Sequence, residues 1–299
     1  MRVIKSEPIT ILNTNVPETE LEWVAGTTYE QAAVVRYNHR VYKSIVAGNQ
    51  GNQPDVSPAS WMDQGATNPY RCIDEYVNST TEHSSIEMTI RAVRISAVAF
   101  FGLSGTNMRL VMRNDKEGLV MDREVQLVRW AVSGGQSCKS WSEYFFGARI
   151  RKRRHFVLTP LMGEGTTLEI SITDASGLTC ACGNIVLGQM LDIGATQFGL
   201  GLELSDYSKK SVDEFGRVFL NPGAYASSAE ADVSIRRDDL DGVINTMVDL
   251  RGRAHCWMLE NTNKPRHESM VMYGFWDSFR PVIEGPAGYK YSIIIKGMI

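Results

Sequence analysis

No apolar run in this chain approaches the length needed to cross a membrane. Its first residues, Met1-Arg-Val-Ile-Lys-Ser-Glu7, lack the apolar core of a secretory signal. Neither membrane insertion nor Sec-type export is expected. Charge of one sign is not in excess either: the formal net charge is -3, which gives no overall attraction to nucleic acid or to an anionic membrane. Cysteine is scarce, with five residues at Cys72, Cys138, Cys180, Cys182 and Cys256, an odd number without framework spacing. Reduced, buried thiols are the expectation. Cys180-Ala-Cys182 would place two sulfurs on one face of a strand, with His255 and Cys256 as distant helpers. Structural zinc needs four ligands, so packing is the favoured role and no metal or other cofactor is assigned.

Reaction signatures are also missing. Gly-x-Ser-x-Gly, a Walker-type glycine-rich loop and His-Glu-x-x-His do not occur, which removes the usual hydrolase, NTPase and metalloprotease patterns. Asp192, Glu203, Asp206, Asp213 and Glu214 could supply a glycosidase pair, but carboxylates by type alone carry no such information. Asp238-Asp239-Leu-Asp241 stands at a helix start, where acids favour the dipole. No catalytic residue is assigned, and the chain is read as a non-enzyme.

What is there is strand. At 299 residues, 43% hydrophobic and 22% charged, the chain has room for two or three globular domains. Arg2-Val-Ile-Lys-Ser-Glu-Pro-Ile-Thr-Ile-Leu12 alternates, and so do Ser85–Val93 and Gly165–Thr173. Between the last two lie Ala97–Leu103, Met108–Arg113, Gly118–Asp122 and Phe156–Leu158, broken by short turns. Many short strands with frequent turns predict a β-sandwich of jelly-roll type. Strands are also read in Ile185–Gly188 and Thr196–Leu204, around a turn at Asp192–Gly194. One helix is predicted from Asp238 to Gly252, with an apolar stripe of Leu240, Val243, Ile244, Met247, Val248 and Leu250. Asp238 or Asp239 would cap it. Three strands follow, at 254–259, 269–275 and 289–296, and Trp257, Tyr273, Phe275 and Trp276 fall within their patterns as core residues. The fold class is mainly β with a small α+β part. The division is an N-terminal strand or arm over 1–20, an aromatic three-stranded mini-domain over 21–68, a β-sandwich over 69–185 and an α+β unit over 186–299. The arm would pair with the body or with a neighbouring subunit.

The mini-domain rests on a distinct pattern. Trp23 and Tyr29 precede Val34-Val-Arg-Tyr37-Asn-His-Arg-Val-Tyr42, and a Pro-spaced return leads to Trp61. Asn38-His39 suits a tight hairpin turn. So short a segment must use aromatics for its core, and Trp23, Tyr42 and Trp61 are expected to be mostly buried. The pattern resembles carbohydrate-binding modules of families five and twelve, the chitin-binding type. That resemblance implies glycan contact, with Tyr29, Tyr37 and Trp61 as the candidate sugar-stacking residues. Where those modules carry exposed aromatics after the second strand, this chain has Ser44-Ile-Val-Ala-Gly-Asn49.

A second resemblance covers residues 60–299. It is carried by Trp61-Met-Asp-Gln-Gly-Ala-Thr-Asn68, Cys182-Gly-Asn-Ile-Val-Leu-Gly188 and Asp192-Ile-Gly-Ala-Thr-Gln-Phe-Gly199. Asp206-Tyr-Ser-Lys-Lys-Ser-Val-Asp-Glu-Phe-Gly216 and Leu250-Arg-Gly-Arg-Ala-His-Cys-Trp257 complete it. These phrases resemble virion proteins of tailed bacteriophages and prophages. They imply a structural tail, baseplate or collar component, located in the virion and assembled in the host cytoplasm. The implied partners are other copies of itself, neighbouring tail proteins and a host-surface glycan. The alternative is a glycan-binding or glycan-degrading protein.

Two segments are the candidate contact residues for assembly. Arg149, Arg151 and Arg153 would share one face of a strand in the basic run to His155. An intersubunit or solvated face is favoured there over phosphate, so nucleic acid is not an expected partner. The polar loop from Asp206 to Phe215 presents Tyr207, Lys209 and Lys210, a natural subunit contact in a ring or tube.

Overall fold

The computed structural model of the protein describes residues 1–76, 79–116, 118–128, 140–146, 154–158, 165–261, 267–285 and 288–298. It is mainly β, with a sandwich, a small α+β part and a separate three-stranded sheet, as the alternation predicts. A five-stranded antiparallel sheet runs in the order Gly118–Gln126, Asn107–Asn114, Gly165–Thr173, Ile86–Ile95, Thr10–Thr14. A ten-stranded sheet lies against it. Its order begins Phe156–Leu158, Ala97–Phe101, Asn184–Asp192, Arg2–Ser6, His255–Met258. It continues through Val271–Gly285, Gly288–Gly297 and Tyr225–Ile235, whose outer edge takes both Ala195–Thr196 and Gly201–Asp206.

Period-two burial builds the sandwich core. Ile86, Met88 and Ile90 point inward from one strand, and Leu168, Ile170 and Ile172 from its neighbour. They meet Val98, Phe100, Ile185 and Leu187 of the large sheet in one cluster. Each such aliphatic side chain contributes about 1.5–3 kcal/mol when fully buried. Farther along the large sheet, Val243 and Met247 of the helix Leu240–Asp249, and Leu250 at its C-cap, pack with Val3, Trp257, Met272, Tyr291 and Ile293. The other face of its central strands buries Ile4, Ala99, Phe101, Val186 and Cys256.

The helix forms where predicted, after a 3₁₀ turn at Arg237–Asp239, but its details differ. No side-chain hydrogen bond caps its start, and Val248 is exposed, so the buried stripe is narrower than the sequence pattern. Trp257 and Tyr273 are core as expected, whereas Phe275 is exposed and Trp276 is half-buried.

Of the two expected placements for the N-terminal strand, the structure shows pairing with the body. Pro8 interrupts the alternation, so Arg2–Ser6 joins the ten-stranded sheet between Asn184–Asp192 and His255–Met258, while Thr10–Thr14 edges the other sheet. A proline lacks the N–H that a central strand requires, which makes it a natural crossing point between the two layers. The large sheet also takes strands from both sides of residue 185, so that position is no break in hydrogen bonding. The segment 206–215 is not an irregular loop. Lys209–Val212 pairs with Val218–Asn221, extending the pairing of Gly201–Asp206 with Tyr225–Glu230 into one long antiparallel ribbon.

The mini-sheet is Val34–Tyr37, Arg40–Ser44 and Trp61–Ala66. Asn38 and His39 both take positive φ, 47° and 62°, the signature of the expected tight hairpin turn. Glu18 ties this sheet to the chain around it: Arg36, His39 Nδ1 and Thr67 Oγ1 all meet its carboxylate. Burial alone would raise the Glu18 pKa. Hydrogen bonds with His39 and Thr67, together with the Arg36 charge, hold it below the usual carboxylate range.

Candidate functional site

The long ribbon is the surface with the least local explanation. Ten of the large hydrophobic side chains that stand exposed fall between Phe198 and Tyr225. Leu204 is 72% exposed and Phe215, at the tip, 86%. Exposed apolar side chains gathered on one element to this extent are uncommon on an isolated soluble chain.

Local chemistry makes the ribbon a defined element. At its tip, the Asp213 carboxylate accepts the N–H groups of Phe215 and Arg217, and Gly216 takes φ 79°. That is a type I turn closed by a left-handed glycine, which joins antiparallel strands without strain. Midway, Ser208 donates both its N–H and its hydroxyl to Asp206, and Gly223 N–H donates to Ser208 Oγ at 3.0 Å. A Cβ on Gly223 would lie 2.5 Å from the Tyr207 carbonyl oxygen, so this joint needs glycine. The Ser208 hydrogen bonds, helped by the charge of Lys210, hold the Asp206 carboxyl below the usual range.

The pairing assigns the faces. Lys210 lies opposite Leu220 and Val212 opposite Val218, so these four share one face of the outer half. Leu202 and Leu204 share a face in the inner half with Tyr225, which is opposite Asp206. Ala229, Ala231 and Val233 lie on that same side of their strand and are buried in the helix-covered core. The apolar surface therefore begins inside the protein and runs out beyond the cover. Tyr207, Lys209 and Lys210, the contact residues expected from the sequence, are all exposed on the ribbon. Arg149, Arg151 and Arg153 lie outside the described residues.

The mini-sheet places Tyr29, Tyr37 and Trp61 together, but as packing. All five aromatics of residues 21–68 gather in one cluster with Val35. Trp23 meets Tyr37 edge-on at 5.5 Å, and Tyr29 meets Trp61 at 5.4 Å. Trp61 is 2% exposed and its indole N–H donates to the Asn52 carbonyl, so it has no free face for a sugar ring. Tyr29 and Tyr37 are half-buried, as is Trp23, and Tyr42 is buried.

The remaining candidates separate. Cys72, Cys180 and Cys182 lie in the sandwich core, and Cys256 belongs to another cluster. Burial pushes the Cys72 thiol up to about 12 and Cys182 well above the ordinary thiol range. Such thiols stay protonated and unreactive at neutral pH. Cys138 lies outside the described residues. Glu203, Asp206, Asp213 and Glu214 are distributed along the ribbon, not across a cleft. A cleft of about 1200 Å³ opens beside the helix start, lined among others by Asp192, Asp238, Asp239 and Lys290. Asp192 there pairs with Arg2 at 3.4 Å. Among the described residues, no group of three or more His, Cys, Asp or Glu side chains could hold a metal ion. No described helix is long and apolar enough to cross a membrane.

No family model matches the chain, and no curated protein matches it. Among solved structures, it is similar over 40% of its length to the third family-32 carbohydrate-binding module of a family 31 glycoside hydrolase from Clostridium perfringens. The identity is 11%, the TM-score 0.28, and 81% of that module is covered. A likeness at this level carries no functional argument.

The ribbon's exposed face escaped the sequence reading, although its signal was present. Val212 and Val218-Phe219-Leu220 flank the turn residues Asp213 to Gly216, which is hairpin spacing.

Proposed function

We propose that this protein is a structural component of a tailed-phage virion, in the tail, baseplate or collar. It acts by assembling with copies of itself and with neighbouring tail proteins, and not through a reactive centre. The observation that carries the reading is the projecting ribbon, whose apolar side chains stand in solvent in the isolated chain. Leaving such a surface open invites aggregation, and burying it in an assembly removes the liability. The virion setting draws on the phrases that resemble those of tailed-phage virion proteins, two of which, Asp192–Gly199 and Asp206–Gly216, lead into or lie on the ribbon. The location that follows is the virion, after assembly in the host cytoplasm. Antibody-labelled electron micrographs of tailed particles from the source host test this. Label on the tail or collar is expected, and particles that never carry label would refute the virion role.

The aromatic mini-sheet favours a second reading, contact with a host-surface glycan. Tyr29 and Tyr37 are only half-buried, and aromatic faces are the usual platform for sugars. Binding on a glycan array should fall in a folded Tyr37→Ala protein. An array without any signal for the wild-type chain removes this reading.

A further inference from the structure

We propose that the ribbon pairs with the ribbon of a second copy of this chain, about a two-fold axis through the joint at Ser208. The inference rests on the assembly reading above and specifies its contact. At alternate positions along this strand the order is Leu202, Leu204, Asp206, Ser208, Lys210, Val212. The first three share a face of the inner half, the last two share one of the outer half, and Ser208 stands at the joint between the two pairings. Read from Ser208 in both directions, an acid stands two residues to one side and a base two residues to the other. An aliphatic side chain follows on each. A two-fold axis through Ser208 superposes these opposites: Asp206 meets Lys210 of the second copy, and Leu204 meets its Val212. On the paired strand Tyr225 lies opposite Asp206 and Leu220 opposite Lys210, with one extra residue between them taken up at the joint. Tyr225 of one copy then covers Leu220 and Val218 of the other.

The pattern is self-complementary in charge and in polarity, which is the requirement for an isologous contact. An unrelated partner would not need the acid and base equally spaced from one point. Asp206 is already oriented, because Ser208 holds one of its oxygens through two hydrogen bonds. Lys210 is exposed; its charge reaches Asp206 of its own chain, but it forms no ion pair within 4.0 Å among the described residues. Pairing brings each of these charges against its opposite while the apolar flanks exclude water, which strengthens the attraction.

The test uses the full chain and sedimentation or light scattering over a wide concentration range. The variants are Asp206→Lys and Lys210→Asp, both at exposed positions. Wild type is expected to self-associate. Each variant alone sets like charges against each other at both contacts, weakening association about tenfold or more. Mixing the two variants restores opposite charges at both contacts, so a mixed dimer should form with near wild-type affinity. That recovery also shows that neither variant is misfolded. Wild-type association unchanged in either variant overturns the ribbon pairing while leaving assembly through another surface. Association lost in both variants but not recovered on mixing overturns the two-fold arrangement. A wild-type chain that stays monomeric overturns the pairing outright, and virion labelling then decides the wider reading separately.

Discussion

His255 shows how a single buried residue couples this fold to pH. It is 2% exposed, and its Nδ1 accepts the Ser6 N–H at 3.1 Å, linking the central strand to its neighbour. Accepting that bond requires a neutral ring. Burial, aided by the nearby Lys5 and Arg253 charges, lowers its pKa to about 4 from an ordinary 6.5. Between those values the unfolded chain binds a proton that the folded chain refuses, so stability falls as pH falls. The contribution is fully present above the ordinary histidine range and is lost progressively as acidity approaches the folded value. A shift of this size corresponds to about 2–3 kcal/mol at about pH 4.5. Urea unfolding at about pH 7 and about pH 4.5 should show wild type losing that much more than His255→Gln. Glutamine can keep an acceptor for Ser6 but cannot titrate. Equal losses in the two proteins would mean that His255 is not the coupled group. Nothing local in Ala-His-Cys-Trp marks this role, because the partner lies 249 residues away in sequence.

At the level of elements, local chemistry decided what could be read in advance. The Asn38-His39 hairpin, the alternation of Ile86–Ile95 and the helix before Gly252 all express themselves within a few residues, and all form. Only the outer part of the ribbon, from 206 to 215, reads as a polar loop in the sequence, because its strands lack a buried face to produce alternation. Exposed lysines, serines and acids there mask the aliphatic positions. The mini-sheet gives the element-scale prediction. Its cluster is small, and Trp61 contributes both area and a hydrogen bond to Asn52. Trp61→Ala should cost about 3–5 kcal/mol, more than a sheet of this size can lose and stay folded. Amides of Val34–Tyr37 and Arg40–Ser44 should then lose hydrogen-exchange protection, while those of His255–Met258 keep theirs. Joint loss of protection would show that the mini-sheet and body unfold as one unit.

For the whole molecule, the decisive contacts are non-local, and the strand Arg2–Ser6 is the clearest case. Its neighbours in the large sheet are 184–192 and 255–258, neither of which any local pattern near residue 1 could announce. Adjacent side chains on it enter different cores: Val3 packs with Trp257 and the helix, and Ile4 with Ala99, Val186 and Cys256. Asn184–Asp192, which itself crosses residue 185, performs the same service. It pairs with Ala97–Phe101 on one edge and with Arg2–Ser6 on the other. A composition-based cut at 185 would therefore divide one hydrogen-bonded sheet and strip Ala97–Phe101 of a neighbour. Residues 69–185 produced alone should stay unfolded by circular dichroism and amide dispersion, despite containing most of the sandwich. The same connectivity requires Ile4→Ala, a loss of about 2–5 kcal/mol at a fully buried site, to lower one shared transition. Probes of the sandwich and of the helix-covered half should shift together in urea. A folded 69–185 fragment, or halves that melt apart in the Ile4→Ala protein, would mean that the large sheet does not bind the two cores into one cooperative body. Cooperativity of that kind would let the body hold the ribbon at a fixed angle, so that a contact made at the ribbon bears on the whole subunit.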